Sequence, residues 1–397
     1  MRVLFISDVY FPRVNGVSTS IRTFRADLTA AGIDSMLVAP GYGQTSAEPD
    51  ESIVRVSSGR VPGDPEDRRM KSGALNGVLD RLAAERFDLV HIHTPFIAHY
   101  AGVRFARRHH IPVLATYHTF FEEYLHHYVP LMPRAFGRLL ARSFTRSQCA
   151  QLGAIVAPSE PMRALLLDYG VKTRIEVIPT GLPADRYVQG DGHGFRDAYG
   201  IPQDRPLLLY VGRVAHEKNI GFLLEAFSEL RRTRPEAMFA IAGEGPAREH
   251  LQAQAARLGL VSQVYFIGYL ERERELANCY AAADVFVFAS RTETQGLVLL
   301  EALAQGRPVV STAHLGTTSI LQAGCGARVA PERSEAFAQA IADLLEDPTR
   351  AARLSEQAHS YAATWASSRM ASRLAALYRD LIGQPGITAM AAASSPG

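Results

Sequence analysis

The chain has 397 residues, 42 basic against 40 acidic, and is 47% hydrophobic; that is more apolar chain than one core holds and suits a soluble protein of two domains. Near-neutral charge argues against a nucleic-acid-binding protein, no apolar run nears the roughly 20 residues that span a bilayer, and Asp8 breaks the first apolar run too early for a secretory leader, so the chain is expected in the cytoplasm. Cys149, Cys279 and Cys325 are odd in number and widely spaced, which excludes a disulfide framework and a zinc site.

Residues 2–7 read as a strand and 19–31 as an amphipathic helix stopped by Gly32. Further strands are expected near 35–39, 88–93, 113–118, 154–157 and 174–178, with helical stretches between most of them, which is a parallel, doubly wound pattern. The basic residues crowd into this half. Residues 1–180 carry 21 Lys+Arg against 17 Asp+Glu, and 90–150 alone hold seven arginines and two glutamates. A polar, glycine-rich stretch, Gln189-Gly190-Asp191-Gly192-His193-Gly194, reads as the linker between a first domain, 1–185, and a second, 200–365. The second repeats the scheme, with strands near 206–212, 238–242, 263–267, 284–288, 308–311 and 327–330, then helices at 334–346 and 349–364. A last helix, 366–382, is expected to cross back to the first domain, and 383–397 lacks an apolar pattern and is expected to be disordered.

The richest local signal lies at Glu293-Thr294-Gln295-Gly296-Leu297-Val298-Leu299-Leu300-Glu301. It follows the apolar run 283–289, so it reads as a buried strand, a turn carrying a carboxylate, and a helix opening at Gly296. Such a helix start, beyond the carboxyl end of a strand, offers free N–H groups to a phosphate. Glu301 lies in a helix that is apolar on nearly every side, and a buried carboxylate needs a partner. The bland alternative is a loop charge at Glu293 and one tolerated polar position at Glu301.

Each domain also places a glycine after its first strand, Gly16 and Gly212, without a dinucleotide fingerprint. Arg213 and Lys218 bracket the loop after Gly212, two cations suited to a diphosphate. Only Lys71, Lys172 and Lys218 are lysines, so a lysine retained at this turn suggests that a compact ammonium is wanted. In the first domain, His118 stands at a strand's carboxyl end, with His91, His93, His99, His126 and His127 near it in sequence.

Gly16, His118, Gly212-Arg213 with Lys218, Gly243-Glu244-Gly245, and Glu293 with Glu301 together resemble family 4 of the retaining glycosyltransferases. The resemblance spans residues 1 to about 380. It implies two Rossmann-like domains facing a deep cleft, the GT-B fold, and a nucleotide-sugar donor with no cofactor and no metal. By the same resemblance His118 and Glu293 meet the donor sugar, Arg213 and Lys218 neutralise the diphosphate, and Gln295, Gly296 and Leu297 form the phosphate loop. Glu301 would hold the ribose hydroxyls, Ile267 and Gly268 would read the base, and Gly16, Gly243 and Glu244 would complete the donor site. The absence of a D-x-D motif agrees with metal-independent chemistry.

Within the family, the runs around Tyr117 and Tyr124 and around Gln295 look like the branch that glycosylates diacylglycerol from a UDP-sugar. The following helix agrees: Arg134, Arg138, Arg142 and Arg146 recur every four residues as a basic stripe, with Phe136, Leu139, Leu140 and Phe144 as an apolar face. An anionic membrane surface is therefore the expected partner, with peripheral attachment through Leu131-Met132-Pro133 and this helix. The alternatives are a GDP-mannose-dependent α-mannosyltransferase acting on a phosphatidylinositol, polyprenyl or polysaccharide acceptor, a nucleotide-sugar epimerase, and a non-catalytic binding protein.

Overall fold

A computed structural model describes residues 1–43, 50–61, 64–118, 134–271 and 275–383. Tyr124, His126, His127, the 131–133 tripeptide, the side chain of Arg134 and the tail beyond residue 383 lie outside them. The chain divides into two units, Met1–Gly181 with Ser367–Gly397, and Leu182–Ala366.

The first unit runs β1 (Arg2–Ile6), α1 (Gly16–Ala30), β2 (Asp34–Pro40), β3 (Ile53–Val56), β4 (Ser58–Val61), β5 (Asp64–Met70), α2 (Ser72–Leu82), β6 (Leu89–Ile92), α3 (Ile97–His109), β7 (Val113–Thr116), α4 (Arg134–Cys149), β8 (Ala154–Ala157), α5 (Glu160–Asp168) and β9 (Ile175–Val177). Its sheet has the order β3-β2-β1-β6-β7-β8-β9, all pairs parallel. The strands are continuous apolar runs because both faces are covered, as for Val3 to Ile6, wholly buried. The hairpin β4–β5 and strand β3 were not legible: β3 has four residues, and β4 and β5 pair antiparallel only with each other amid Gly59, Pro62, Gly63 and charges that read as a loop.

The second unit runs α6 (Gly192–Tyr199), β10 (Leu207–Val211), α7 (Ile220–Leu230), β11 (Met238–Ala242), α8 (Arg248–Arg257), β12 (Val264–Gly268), α9 (Glu275–Ala282), β13 (Val285–Phe288), α10 (Leu297–Ala304), β14 (Val309–Ser311), β15 (Ala327–Val329), α11 (Ser334–Glu346) and α12 (Pro348–Ala363). Its sheet order is β12-β11-β10-β13-β14-β15, also parallel. That is the 3-2-1-4-5-6 order of a Rossmann sheet, whose winding reverses between β10 and β13. In the first unit the same reversal falls between β1 and β6.

The expected linker is instead a packed part of the second unit. Gly190 N–H donates to Gln305 Oε1 at 3.2 Å, and Asp191 caps α6 by accepting from Gly194 N–H at 2.9 Å. A Cβ on Gly192 would lie 2.4 Å from Ala281 O, so its glycines serve close packing rather than flexibility. The final helix, α13 (Ser367–Gly383), belongs to the first unit: Leu374, Leu377 and Tyr378 join Phe5, Phe24 and Leu89 in one core. Among the described residues no helix is long and apolar enough to cross a membrane.

Candidate active site

In the second unit the candidate residues gather at the β10/β13 reversal. Beyond β10 the loop from Gly212 passes against the Gly243-Glu244-Gly245 loop beyond β11, with Val214 N–H donating to Glu244 O at 2.9 Å. Gly243 has φ 139°, and a Cβ there would sit 1.9 Å from Gly212 O, so only glycine fits. Gly243 N–H donates to Gly268 O at 2.7 Å, which ties the segment that includes Ile267 to the same loop. Glu244 is ion-paired with Arg248, whose guanidinium also donates to Phe266 O at 3.2 Å.

Arg213 is exposed, and its carbonyl accepts from the buried Tyr210 hydroxyl at 3.0 Å. Lys218 ends a short 3-10 turn, after which Asn219 adopts left-handed φ 57° and starts α7. The Lys218 ammonium donates to Glu293 Oε1 at 2.6 Å, the two side chains 19% and 20% exposed. Burial, and then the charges of Glu293 and Glu217, push the Tyr210 phenol well above its ordinary value. Tyr210 therefore stays a neutral donor beneath the loop.

After β13 the chain turns through Glu293 to Gly296, where φ 98° requires glycine and sets the axis of α10. Leu299 N–H turns back to Gly296 O at 3.0 Å, while the N–H groups of Leu297 and Val298 precede the first intrahelical bonds and, with the dipole, favour an anion. Gln295 is buried in the turn, and Leu297 is partly exposed. Glu301 is 2% exposed and accepts from the Tyr280 hydroxyl at 3.0 Å; this answers the expectation that it needs a partner. Tyr280 lies on α9, and no spacing in the sequence pointed to it. Glu332, equally unmarked, receives Asn219 Nδ2–H at 2.9 Å and pairs with Arg291, tethering the residue beside Lys218 to the segment that carries Glu293.

In the first unit the β1/β6 reversal holds Gly16, Asp8 and the histidines. Gly16 opens α1, capped by Asn15 Oδ1 accepting from Ser18 N–H at 2.8 Å. Asp8, beyond β1, accepts from Thr94 Oγ1–H at 2.7 Å and from Ala98 N–H at 3.1 Å, a cap for α3 supplied from another element. Burial raises its carboxyl to about 6. His118, partly exposed beyond β7, lies 3.2 Å from His93 Nδ1 through its Nε2. Burial lowers its pKa to about 3 and holds His91 and His93 well below the ordinary value, so all three rings are neutral at pH 7. Tyr117 joins β7 to α4 through a 3.1 Å contact with Thr145.

Helix α4 is oriented differently from a helix that packs its large apolar residues on a sheet. Its inner face is Gly137, Ala141, Thr145, Gln148 and Cys149, at helical spacing, while Leu139 and Leu140 are 62% and 41% exposed. Phe144 is partly buried, and Arg138 and Arg146 are exposed. Arg142 does not stand free in the basic stripe: it pairs with Asp168 and lies over the Tyr169 ring, 5.3 Å from its centroid.

Both halves of the chain match known protein families. A family model described as Glycosyltransferase Family 4 matches residues 14–186, and one described as Glycosyl transferases group 1 matches residues 194–361. The chain is 34% identical over 319 residues to alpha-monoglucosyldiacylglycerol synthase of Streptococcus pneumoniae, covering 78% of this chain and 71% of that protein. It belongs to glycosyltransferase family 4.

A second alpha-monoglucosyldiacylglycerol synthase, from Acholeplasma laidlawii, is 26% identical to this glycosyltransferase over 394 residues, covering 96% and 98% of the two chains. Among solved structures, sucrose-phosphate synthase from Thermosynechococcus elongatus superimposes with a TM-score of 0.78 at 21% identity, over 96% of this chain and 98% of its own. Anabaena HepE in complex with UDP gives 0.76 at 17%, over 96% and 100%. The glycosyltransferase thus has the GT-B fold, with two Rossmann-like domains, and is an enzyme. In its second domain, Arg213, Lys218 and the start of α10 follow the carboxyl ends of β10 and β13, the two strands at the reversal.

Proposed function

We propose that this glycosyltransferase moves a hexosyl or hexuronosyl group from a UDP-sugar, UDP-glucose foremost, to 1,2-diacylglycerol at an anionic membrane surface, and that it retains the α configuration. The observation that carries the lipid acceptor is the outer face of α4. Leu139 and Leu140 stand in solvent with Arg138 and Arg146 on the same helix, an arrangement that places apolar side chains in the acyl boundary and cations at phosphate level. The names of the two relatives, both monoglucosyldiacylglycerol synthases, support the same acceptor and favour glucose.

In this reading Arg213, Lys218 and the N–H groups of Gly296 and Leu297 take up the charge that develops on the diphosphate as the sugar bond breaks. Glu301 holds the ribose, and Glu293 and His118 hold the sugar. The acceptor oxygen bonds the anomeric carbon from the face the diphosphate leaves, and its proton passes to the departing diphosphate oxygen, so no glycosyl-enzyme forms. A panel of UDP-glucose, UDP-glucuronate and GDP-mannose, offered with diacylglycerol or phosphatidylinositol in anionic vesicles, tests the reading. The expected product is an α-glycosyldiacylglycerol, identified by mass and anomeric coupling. Transfer only from GDP-mannose to phosphatidylinositol would replace this reading with that of a mannosyltransferase.

A further inference from the structure

Three histidine rings form a stack beneath the carboxyl ends of β1, β6 and β7. His91 is pinned at both nitrogens, Nδ1 to the Tyr378 hydroxyl at 2.6 Å and Nε2 to Thr116 Oγ1 at 2.7 Å. His93 lies between Phe5, stacked at 5.0 Å, and His91, whose ring centroid is 4.1 Å away. His118 stacks on His93 at 5.5 Å, with the two rings inclined by 23°. His93 is 1% exposed, and its Nε2 has no hydrogen-bond partner among the described residues.

That orphan nitrogen decides which ring donates. The rings are neutral, so each carries one N–H, and one proton must lie between His93 Nδ1 and His118 Nε2. If His118 donated, His93 would carry its own proton on Nε2, a buried N–H facing no acceptor among the described residues. If His93 donates, its Nε2 is a bare lone pair against ring faces, the less costly orphan. The proton therefore belongs to His93 Nδ1, and His118 Nε2 accepts it. The one N–H of His118 then resides on Nδ1.

We propose that His93 is a positioning residue that locks His118 into its Nδ1–H tautomer, so that His118 offers the donor sugar an N–H and never a bare nitrogen at that atom. The proposal rests on the reading of His118 as a sugar contact. It explains why a residue that touches no substrate is a histidine rather than a larger apolar side chain: stacking alone would be served by phenylalanine, but only a ring N–H sets the tautomer of its neighbour.

Long-range 15N–1H correlation spectra of the full-length protein, labelled at histidine and free of ligand, test it directly. The expected pattern for His118 is a protonated Nδ1 and a pyridine-like Nε2; a protonated Nε2 in the unsubstituted protein would overturn the proposal without any variant having to fold. His93→Phe keeps the stack and removes the donor. It should shift His118 toward Nε2–H and lower kcat for transfer from UDP-glucose to dioleoylglycerol in phosphatidylglycerol vesicles by about 10–100-fold, with KM for UDP-glucose little changed. His93→Asn, whose amide N–H can occupy the place of Nδ1–H, should recover most of both. If His93→Phe leaves the His118 tautomer as it was, His93 does not set it, whatever happens to the rate. Full transfer by His118→Ala would instead remove the reading of His118 as a sugar contact, while the spectrum of the unsubstituted protein would still decide the tautomer.

Discussion

On the proposed reading, the Lys218–Glu293 contact has one role in the fold and another in catalysis. At 2.6 Å, with each side chain about one-fifth exposed, it is a part-buried ion pair in which desolvation offsets much of the attraction, leaving on the order of 1 kcal/mol for stability. In the proposed reaction the same ammonium stands opposite the departing diphosphate, where charge develops, and removing such a group costs about 10²–10³-fold in rate. Lys218→Ala is therefore expected to melt within a few degrees of the unsubstituted protein while kcat falls by that factor; steady-state kinetics beside a thermal melt check the contrast, and an unchanged kcat would exclude Lys218 from leaving-group stabilisation. At this scale the sequence was informative where residue type was out of place: one lysine among arginines, one carboxylate in an apolar helix. It was silent on Tyr280 and Glu332, because each reaches its partner across the fold, 21 and 113 positions away, and it marked His93 only as one of several histidines near His118.

Among the elements, α4 separates what periodicity can and cannot say. A four-residue recurrence of arginine is read correctly as one side of a helix, but which side faces the sheet depends on the space left there. Close approach selects Gly137, Ala141 and Thr145, so the leucines go outward. Leu139 and Leu140 are expected to insert into lipid, and burying a leucine contributes about 1.5–3 kcal/mol. Leu139→Ser with Leu140→Ser should abolish co-flotation with phosphatidylglycerol vesicles without lowering the melting temperature, since neither side chain is buried in the protein. Undiminished flotation would mean that another surface holds the membrane. Other elements were legible in proportion to burial: β8 and β11 have the expected limits, whereas the β4–β5 hairpin, whose buried residue among those described is Met70 at its very end, left no pattern to read.

For the molecule as a whole, the buried histidines set the response to acid. Unfolded histidine takes up a proton near pH 6.5, but in the fold His118 resists to about 3 and His99 to about 4, both through burial, with His91 and His93 lowered as well. A depressed folded value gives stability that is full above pH 6.5 and lost as pH falls toward the folded values. Asp8 works the other way: raised to about 6, its contribution is full below about pH 4 and lost as pH rises through 6. Four histidines outweigh one aspartate, so the melting temperature should fall steadily from pH 7 to pH 4.5, and more steeply in Asp8→Asn, where the opposing trend is gone; calorimetry across that range checks both slopes. The doubly wound architecture was legible because it is written twice in long apolar runs, while the reach of α13 was visible only as an amphipathic helix with nowhere else to go. That helix has a consequence for biosynthesis. The second unit is one unbroken stretch and can close as soon as residue 366 is made. The first unit, although translated earlier, must wait with Phe5, Phe24 and Leu89 uncovered until Leu374, Leu377 and Tyr378 emerge, so the half made first is the half finished last, and a chain cut short by its final helix would present an open seam to chaperones and proteases.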